Sequence, residues 1–357
     1  MKRLLIAFAL LLPLVACEDP IKKGSVAGGP DEPSGPVTPE PQPADAPTYA
    51  LGADISWVTE MESKGYKFYT SAGVETECTA LMKSLGCNAV RYRVWVNPSA
   101  GWCNKADVLV KAKRAAALGL PVMIDFHYSD SWADPGNQNP PAAWASMSLA
   151  QMATALGNHT KDVLQTLKDA KVSVAWVQVG NETNTGMCLP TGAVSSSDAS
   201  GFITLANAGY DAVKAVYPDA YVILHHSSAE NLSANKWFYN LVKTAKYDMI
   251  GLSLYPSYWE NGGYPDWTTK TESAISNFLT LHDTFSKPVM LVEFGMPASE
   301  PAKAKAALER ILSKTKGIDW FKGVFYWEPE SEQSRNNYGY GAFANGKPTI
   351  ALDPFKQ

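Results

Sequence analysis

Two glutamates in this 357-residue chain stand where a reaction could be carried out. Glu182 closes the run AWVQVGNE over 175–182, and Glu293 sits near the end of PVMLVEFG over 288–295. Short Val-rich runs bounded by Gly and Pro read as strands buried on both faces. A carboxylate at the end of such a strand needs a partner, because a buried lone charge is costly. Two of them on separate strands suit an acid and a base or nucleophile flanking a glycosidic bond, one carboxyl protonated and the other ionised.

The elements that would position this pair alternate along the chain. Strands are expected near 51–56, 89–94, 121–127, 175–181, 220–226, 248–254, 288–293 and 321–327. Helical patterns lie between them, as at Lys105–Leu118, Leu149–Ala170, Ser200–Val216 and Ala302–Lys314. In the first of these, Val108, Leu109, Ala112, Ala115 and Ala116 form one apolar face. Eight strands with crossover helices predict an α/β fold, a TIM (β/α)8 barrel, with a last helix that is short or absent. An open doubly wound sheet is the alternative, weakened because no Gly-rich phosphate loop follows the first strand.

A barrel of this kind works at the C-terminal ends of its strands. Those ends carry Asp54 and Trp57, Arg91 and Trp95, Asp125, His127 and Asp130, Asn181 and Glu182, His225 and His226, Tyr255, Glu293, and Trp327 and Glu328. Every strand end is polar or aromatic, which a purely structural rim would not require. No metal-ligand cluster, HExxH or GxSxG is found, so a metal, cofactor or serine-esterase mechanism is not expected.

Residues 1–17 begin with Lys2 and Arg3 and continue as an apolar stretch ending LVAC at Cys17. This is an export signal rather than a membrane span. Its end resembles a bacterial lipobox, which implies cleavage before Cys17 and lipidation of its thiol. Residues 18–48, with eight prolines from Pro20 to Pro47, read as an extended tether. The domain at 49–357 is then expected to be exported, lipid-anchored to the bacterial outer membrane and displayed at the cell surface. Export permits disulfides, but Cys78, Cys87, Cys103 and Cys188 allow three pairings. Cys78, at an apolar helix position, fits a buried free thiol equally well.

The chain is 46% hydrophobic and 11% aromatic, with 11 Trp and 16 Tyr, enough for a large core and for flat faces that stack on sugar rings. A net charge of −4 argues against a nucleic-acid partner.

Several runs carry a family resemblance. LGADISW (51–57), NAVRYRVWVNP (88–98), DFHYSDSWADP (125–135), VGNETN (179–184), GLSLYP (251–256), Val292-Glu293 and FYWEP (325–329) together resemble glycoside hydrolase family 53, the clan A endo-β-1,4-galactanases. The resemblance spans residues 49–357. It implies a monomeric, retaining enzyme acting on the β-1,4-galactan side chains of pectic type I arabinogalactan. Glu182 would be the acid/base and Glu293 the nucleophile. Asn181 would hydrogen-bond the sugar 2-hydroxyl, Arg91 would hold Glu293 ionised, Tyr255 would hydrogen-bond it, and Trp327 would floor the cleaved subsite. Asp54, Asp125, His127 and His225 would bind substrate or orient the reacting groups, and Trp95 and Trp132 would offer stacking faces. Many bacterial members hold calcium in a loop after strand seven, but FGMPASEPAK (294–303) has no Asp-x-Asp run, so that site is expected to be missing. Rival expectations are another clan A endo-glycanase, such as a mannanase or cellulase, and an inactive glycan-binding lipoprotein.

Overall fold

The computed structural model describes residues 46–258, 263 and 265–356. The export signal, Cys17 and the tether as far as residue 45 lie outside the described residues. Eight strands form the frame: β1 (Ala50–Asp54), β2 (Ala89–Val94), β3 (Val122–Phe126), β4 (Val174–Val179), β5 (Tyr221–His226), β6 (Met249–Leu254), β7 (Val289–Phe294) and β8 (Phe321–Trp327). They close into a barrel in chain order, with β1 paired to both β2 and β8, and every pairing is parallel. The expected TIM barrel is therefore the observed fold.

Eight helices follow the frame: α1 (Val58–Ser63), α2 (Cys78–Ser84), α3 (Lys105–Ala117), α4 (Leu149–Asp169), α5 (Ser200–Val216), α6 (Leu232–Leu241), α7 (Trp267–Phe285) and α8 (Pro301–Thr315). Their ends obey local chemistry. Ser148 and Gln151 form a reciprocal capping box on α4, and Pro301 opens α8, where its missing N–H costs nothing. After β8 come a one-turn helix, α9 (Gln333–Asn336), a short antiparallel pair of Phe343–Ala344 with Lys347–Pro348, and a 3-10 turn at Ile350–Phe355 whose Leu352 and Phe355 are buried. No helix among the described residues is long and apolar enough to cross a membrane. Cys78, Cys87, Cys103 and Cys188 are all buried free thiols, so no disulfide pairing is needed.

β3 stops one residue short of the expectation, at Phe126, and two other strand ends fall two residues short. β1 stops at Asp54, because its carboxylate accepts from the Ser56 backbone N–H at 3.0 Å and turns the chain. β4 stops at Val179, because Gly180 adopts φ +92°. Neither break displaces a site residue from the rim.

Two apolar layers surround the strands. The larger lies between strands and helices. The smaller fills the lower barrel with Met123, Trp176, Ile223, Met249, Met290, Val292 and Phe325, among others. Phe325 fits because Gly52 faces it; a Cβ there would collide with the ring. Truncating Trp176, only 1% exposed, would cost about 3–5 kcal/mol through the cavity left behind.

One irregularity decides the site. Leu252 pairs with Leu291, but the next residue, Ser253, pairs with Glu293, so Val292 has no partner on β6. The β8 register steps at the same place, from Val324–Leu291 to Tyr326–Phe294. Strict alternation from Met290 would turn Glu293 outward with Leu291. The bulge lets Val292 and Glu293 both face the barrel interior while Phe294 joins the outer core.

Candidate active site

Above the apolar plug the barrel interior turns polar. Arg91 projects inward from β2 with no exposed surface. Its Nε donates to Gln178 Oε1 at 2.6 Å and its Nη1 to Asp54 Oδ2 at 2.6 Å. Its Nη2 faces Asp125 Oδ2 at 2.9 Å, Glu293 Oε1 at 2.8 Å and Asn181 Oδ1 at 3.1 Å. Burial works against the guanidinium charge, but Asp125, Glu293 and Asp54 outweigh it and Arg91 stays protonated. Burial would likewise raise Asp125, yet Arg91 and His127 hold it below the usual carboxylate range.

Glu293 is 5% exposed, and its second oxygen accepts from the Tyr255 hydroxyl at 2.9 Å. Glu182 follows β4 in a left-handed conformation (φ 43°) and lines the cavity. The two glutamates line one cavity of about 210 Å³, with His127, Trp132, Asp134, Asn181, Tyr255, Tyr258, Trp327, Tyr338 and Tyr340 around them. Burial is the main cause that raises both carboxyls above their ordinary range. Each then feels further negative charge: Glu293 that of Glu182 and Asp125, Glu182 that of Asp134 and Asp125. Arg91 and Tyr255 both donate to Glu293, whereas the Ser253 hydroxyl is the donor that favours ionised Glu182. Arg91 lies close enough to favour the ionised form of both glutamates, but only Glu293 receives its hydrogen bond.

A histidine underpins each side. His225 Nδ1 is faced by Gln178 Nε2 at 2.8 Å, Asn181 Oδ1 at 3.0 Å and the Glu182 backbone N–H at 3.2 Å; because the backbone group can only donate, Nδ1 accepts. Its Nε2–H is then the donor to Ser253 Oγ at 2.7 Å, and burial keeps the ring neutral. His127 Nδ1 accepts from Trp95 Nε1 at 3.2 Å and from the Ala133 N–H at 3.0 Å, leaving Nε2–H to meet Asp125 at 3.0 Å.

The structure sorts the sequence-derived residues into two sets. His127, Trp132, Asn181, Glu182, Tyr255, Glu293 and Trp327 line the cavity. Asp54, Arg91, Asp125 and His225 are fully buried beside it, where they hold other side chains rather than present themselves to a ligand. Trp95 stands one ring back, edge-on to Trp132 at 5.1 Å. Not foreseen were Gln178 and Ser253, whose signal was a polar residue inside an apolar strand. Asp134, Tyr258, Tyr338 and Tyr340 lie in loops that no periodicity marks.

Among the described residues no group of three His, Cys, Asp or Glu could hold a metal. A larger hollow of about 460 Å³ lies at the opposite end, beside Val174 and Ala220 where β4 and β5 begin, and holds no carboxylate pair.

A closed parallel barrel with two carboxyls in one aromatic-walled cavity at its C-terminal mouth defines the class of TIM-barrel glycoside hydrolases. The chain belongs to glycosyl hydrolase family 53, whose sequence model matches residues 50–347. It is 34% identical over 328 residues to an uncharacterised protein in the bgaB 5′ region of Niallia circulans, covering 82% of this chain and 87% of that one. It is 31% identical over 305 residues to a probable arabinogalactan endo-β-1,4-galactanase A of Aspergillus terreus, covering 78% and 84%. A solved fungal β-1,4-galactanase superposes with a TM-score of 0.77 at 26% identity, covering 86% of this chain and 98% of that one.

Proposed function

We propose that the protein is a retaining endo-β-1,4-galactanase acting on pectic galactan. The observation that carries the reading is the unequal setting of two glutamates in one cavity: Glu293 takes hydrogen bonds from both Arg91 and Tyr255, and Glu182 from the Ser253 hydroxyl. Glu293 attacks the anomeric carbon as the ionised nucleophile while Glu182 gives its proton to the leaving 4-oxygen. Glu182 then takes a proton from water, whose oxygen displaces Glu293 from the sugar. Asn181 Oδ1 faces Arg91 at 3.1 Å and its Nδ2 donates to Ala133 O at 2.8 Å, so one N–H remains for the sugar 2-hydroxyl. The named activity of the fungal relatives supports galactan as the substrate. We also propose that the enzyme needs no metal and is carried as a monomer on a lipid at Cys17, outside the cell.

Linear β-1,4-galactan incubated with residues 49–357 tests the reading. Early internal cuts, products first released in the β configuration by NMR, and loss of both in Glu182→Ala and Glu293→Ala are expected. Binding without cleavage would replace the enzyme by a glycan-binding protein; cleavage of mannan or glucan instead would move the substrate. Protection of the protein from added protease on intact cells would overturn the surface location.

A further inference from the structure

Arg93 lies two residues beyond Arg91 on β2 and is 1% exposed. One terminal nitrogen, Nη1, pairs with Glu328 Oε1. Its Nε and Nη2 have no hydrogen-bond partner. A buried N–H left unpaired is costly, so what faces those atoms matters. The guanidinium carbon lies 4.4 Å from the ring centre of Trp132, 4.9 Å from Trp57 and 5.3 Å from Trp95. Indole faces take the place of acceptors around this cation.

The indoles reach the sugar cavity. Trp132 is one of its walls, and Trp327 another. Trp57 packs edge-on against both, at 5.5 Å and 5.4 Å, and the two walls meet at 5.9 Å. Glu328 is the residue after Trp327, and its other oxygen accepts from the Trp57 backbone N–H at 3.2 Å. One guanidinium is thus joined to Trp132 directly and to Trp327 through Trp57 and Glu328. The walls come from different elements, the loop after β3 and the last residue of β8, and a cation between them can set their separation.

We propose that Arg93 is a positioning residue for the sugar: its ion pair with Glu328, enclosed by three indoles, fixes the Trp132 and Trp327 walls of the cavity. This rests on the glycosidase reading of that cavity. The guanidinium is suited to the task because it is planar, offering its faces to rings while donating to a carboxylate from its edge; a lysine ammonium keeps the charge but cannot stack in this way.

Arg93→Lys is the test, with Glu328→Gln as a second variant should the first fail to fold. Three readouts are needed: kinetics on linear β-1,4-galactan, tryptophan emission with acrylamide quenching, and thermal unfolding. The folded Arg93→Lys protein is expected to lose about tenfold in kcat/KM, mostly through KM, since loosened walls weaken sugar binding. The alkaline limb of its pH profile should stay in place and its tryptophans should quench more readily. Glu328→Gln should shift KM and quenching in the same direction. Unchanged kcat/KM in a folded variant overturns the proposal, as does a loss confined to active fraction with KM unchanged. If the parent enzyme does not cut galactan, the substrate reading fails instead, and quenching alone decides: equal quenching in parent and variants overturns the role of Arg93.

Discussion

Arg91 and Arg93 stand on one strand, two residues apart, both turned into the barrel and both shut from solvent. Their direct partners differ. Arg91 spends its donors on Gln178, Asp54, Asp125, Asn181 and Glu293. Arg93 makes one ion pair, with Glu328, and lies beside three indoles, with the Cys103 thiol and Asp54 also near enough to act on its charge. In the proposed function, the first sets the charge of the nucleophilic carboxylate and the second the shape of the space around the sugar. The contrast teaches that burial of a cation says nothing of its task. What it faces does: carboxylates make it an electrostatic device, and rings make it a geometric one.

The largest effects should come from the carboxyl that Arg91 serves and from its partner. Glu293→Ala and Glu182→Ala should each lower galactan cleavage by about 10³-fold or more at unchanged fold, measured by reducing-end release. Either variant retaining a tenth of the activity would end the assignment. Arg91→Met should damage stability as well as activity, because it leaves Asp54, Asp125 and Glu293 without their shared cation. A loss of about 3–5 kcal/mol is expected in denaturant unfolding, against a much smaller loss for Arg93→Lys, which keeps its charge pair. Equal losses would erase the distinction drawn between the two arginines.

Tyr255→Phe removes the second donor to Glu293, leaving Arg91 alone. A hydrogen bond to a charged group contributes about 1.5–3 kcal/mol, so kcat should fall roughly tenfold to a hundredfold while the fold holds. The pH profile separates the same regions. Burial raises Glu182, so its protonated form survives to higher pH than an ordinary glutamate. Activity is therefore present below that raised value and falls as pH climbs through it. Glu182→Gln, assayed on a galactoside with a leaving group that needs no proton, should lack this alkaline limb; Arg93→Lys should retain it. A limb that moves with Arg93→Lys would make that arginine electrostatic after all. The smallest expected effect is none: EDTA should leave activity unchanged, and a loss restored by calcium would show that a metal shares the site.

Much of this was legible in the residues. Val-rich strands and Gly or Pro boundaries gave the eight-strand barrel, because a strand buried on both faces must be apolar along its whole length. Asp54, Arg91, Asp125, Glu182 and Glu293 stood out because charge is expensive at the end of such a strand. Ser253 and Gln178 did not, since an uncharged polar residue in a strand attracts no notice until its partner is known. Tyr338 and Tyr340 lie beyond β8, where no pattern points inward.

The sequence alone determined which residues could react and which end of the barrel they would share. Only the tertiary structure decided how they face. Glu293 looks into the cavity because of an extra residue at Val292, and no alternation rule foretells a bulge. Glu182 lines the cavity from a left-handed backbone at its own position. Arg91 meets Glu293 across 202 residues of chain, and Arg93 meets Glu328 across 235. Periodicity reports on neighbours along the chain. Partners this distant are chosen by closing the barrel, whose cost is shared by all eight strands and recorded in none of them singly.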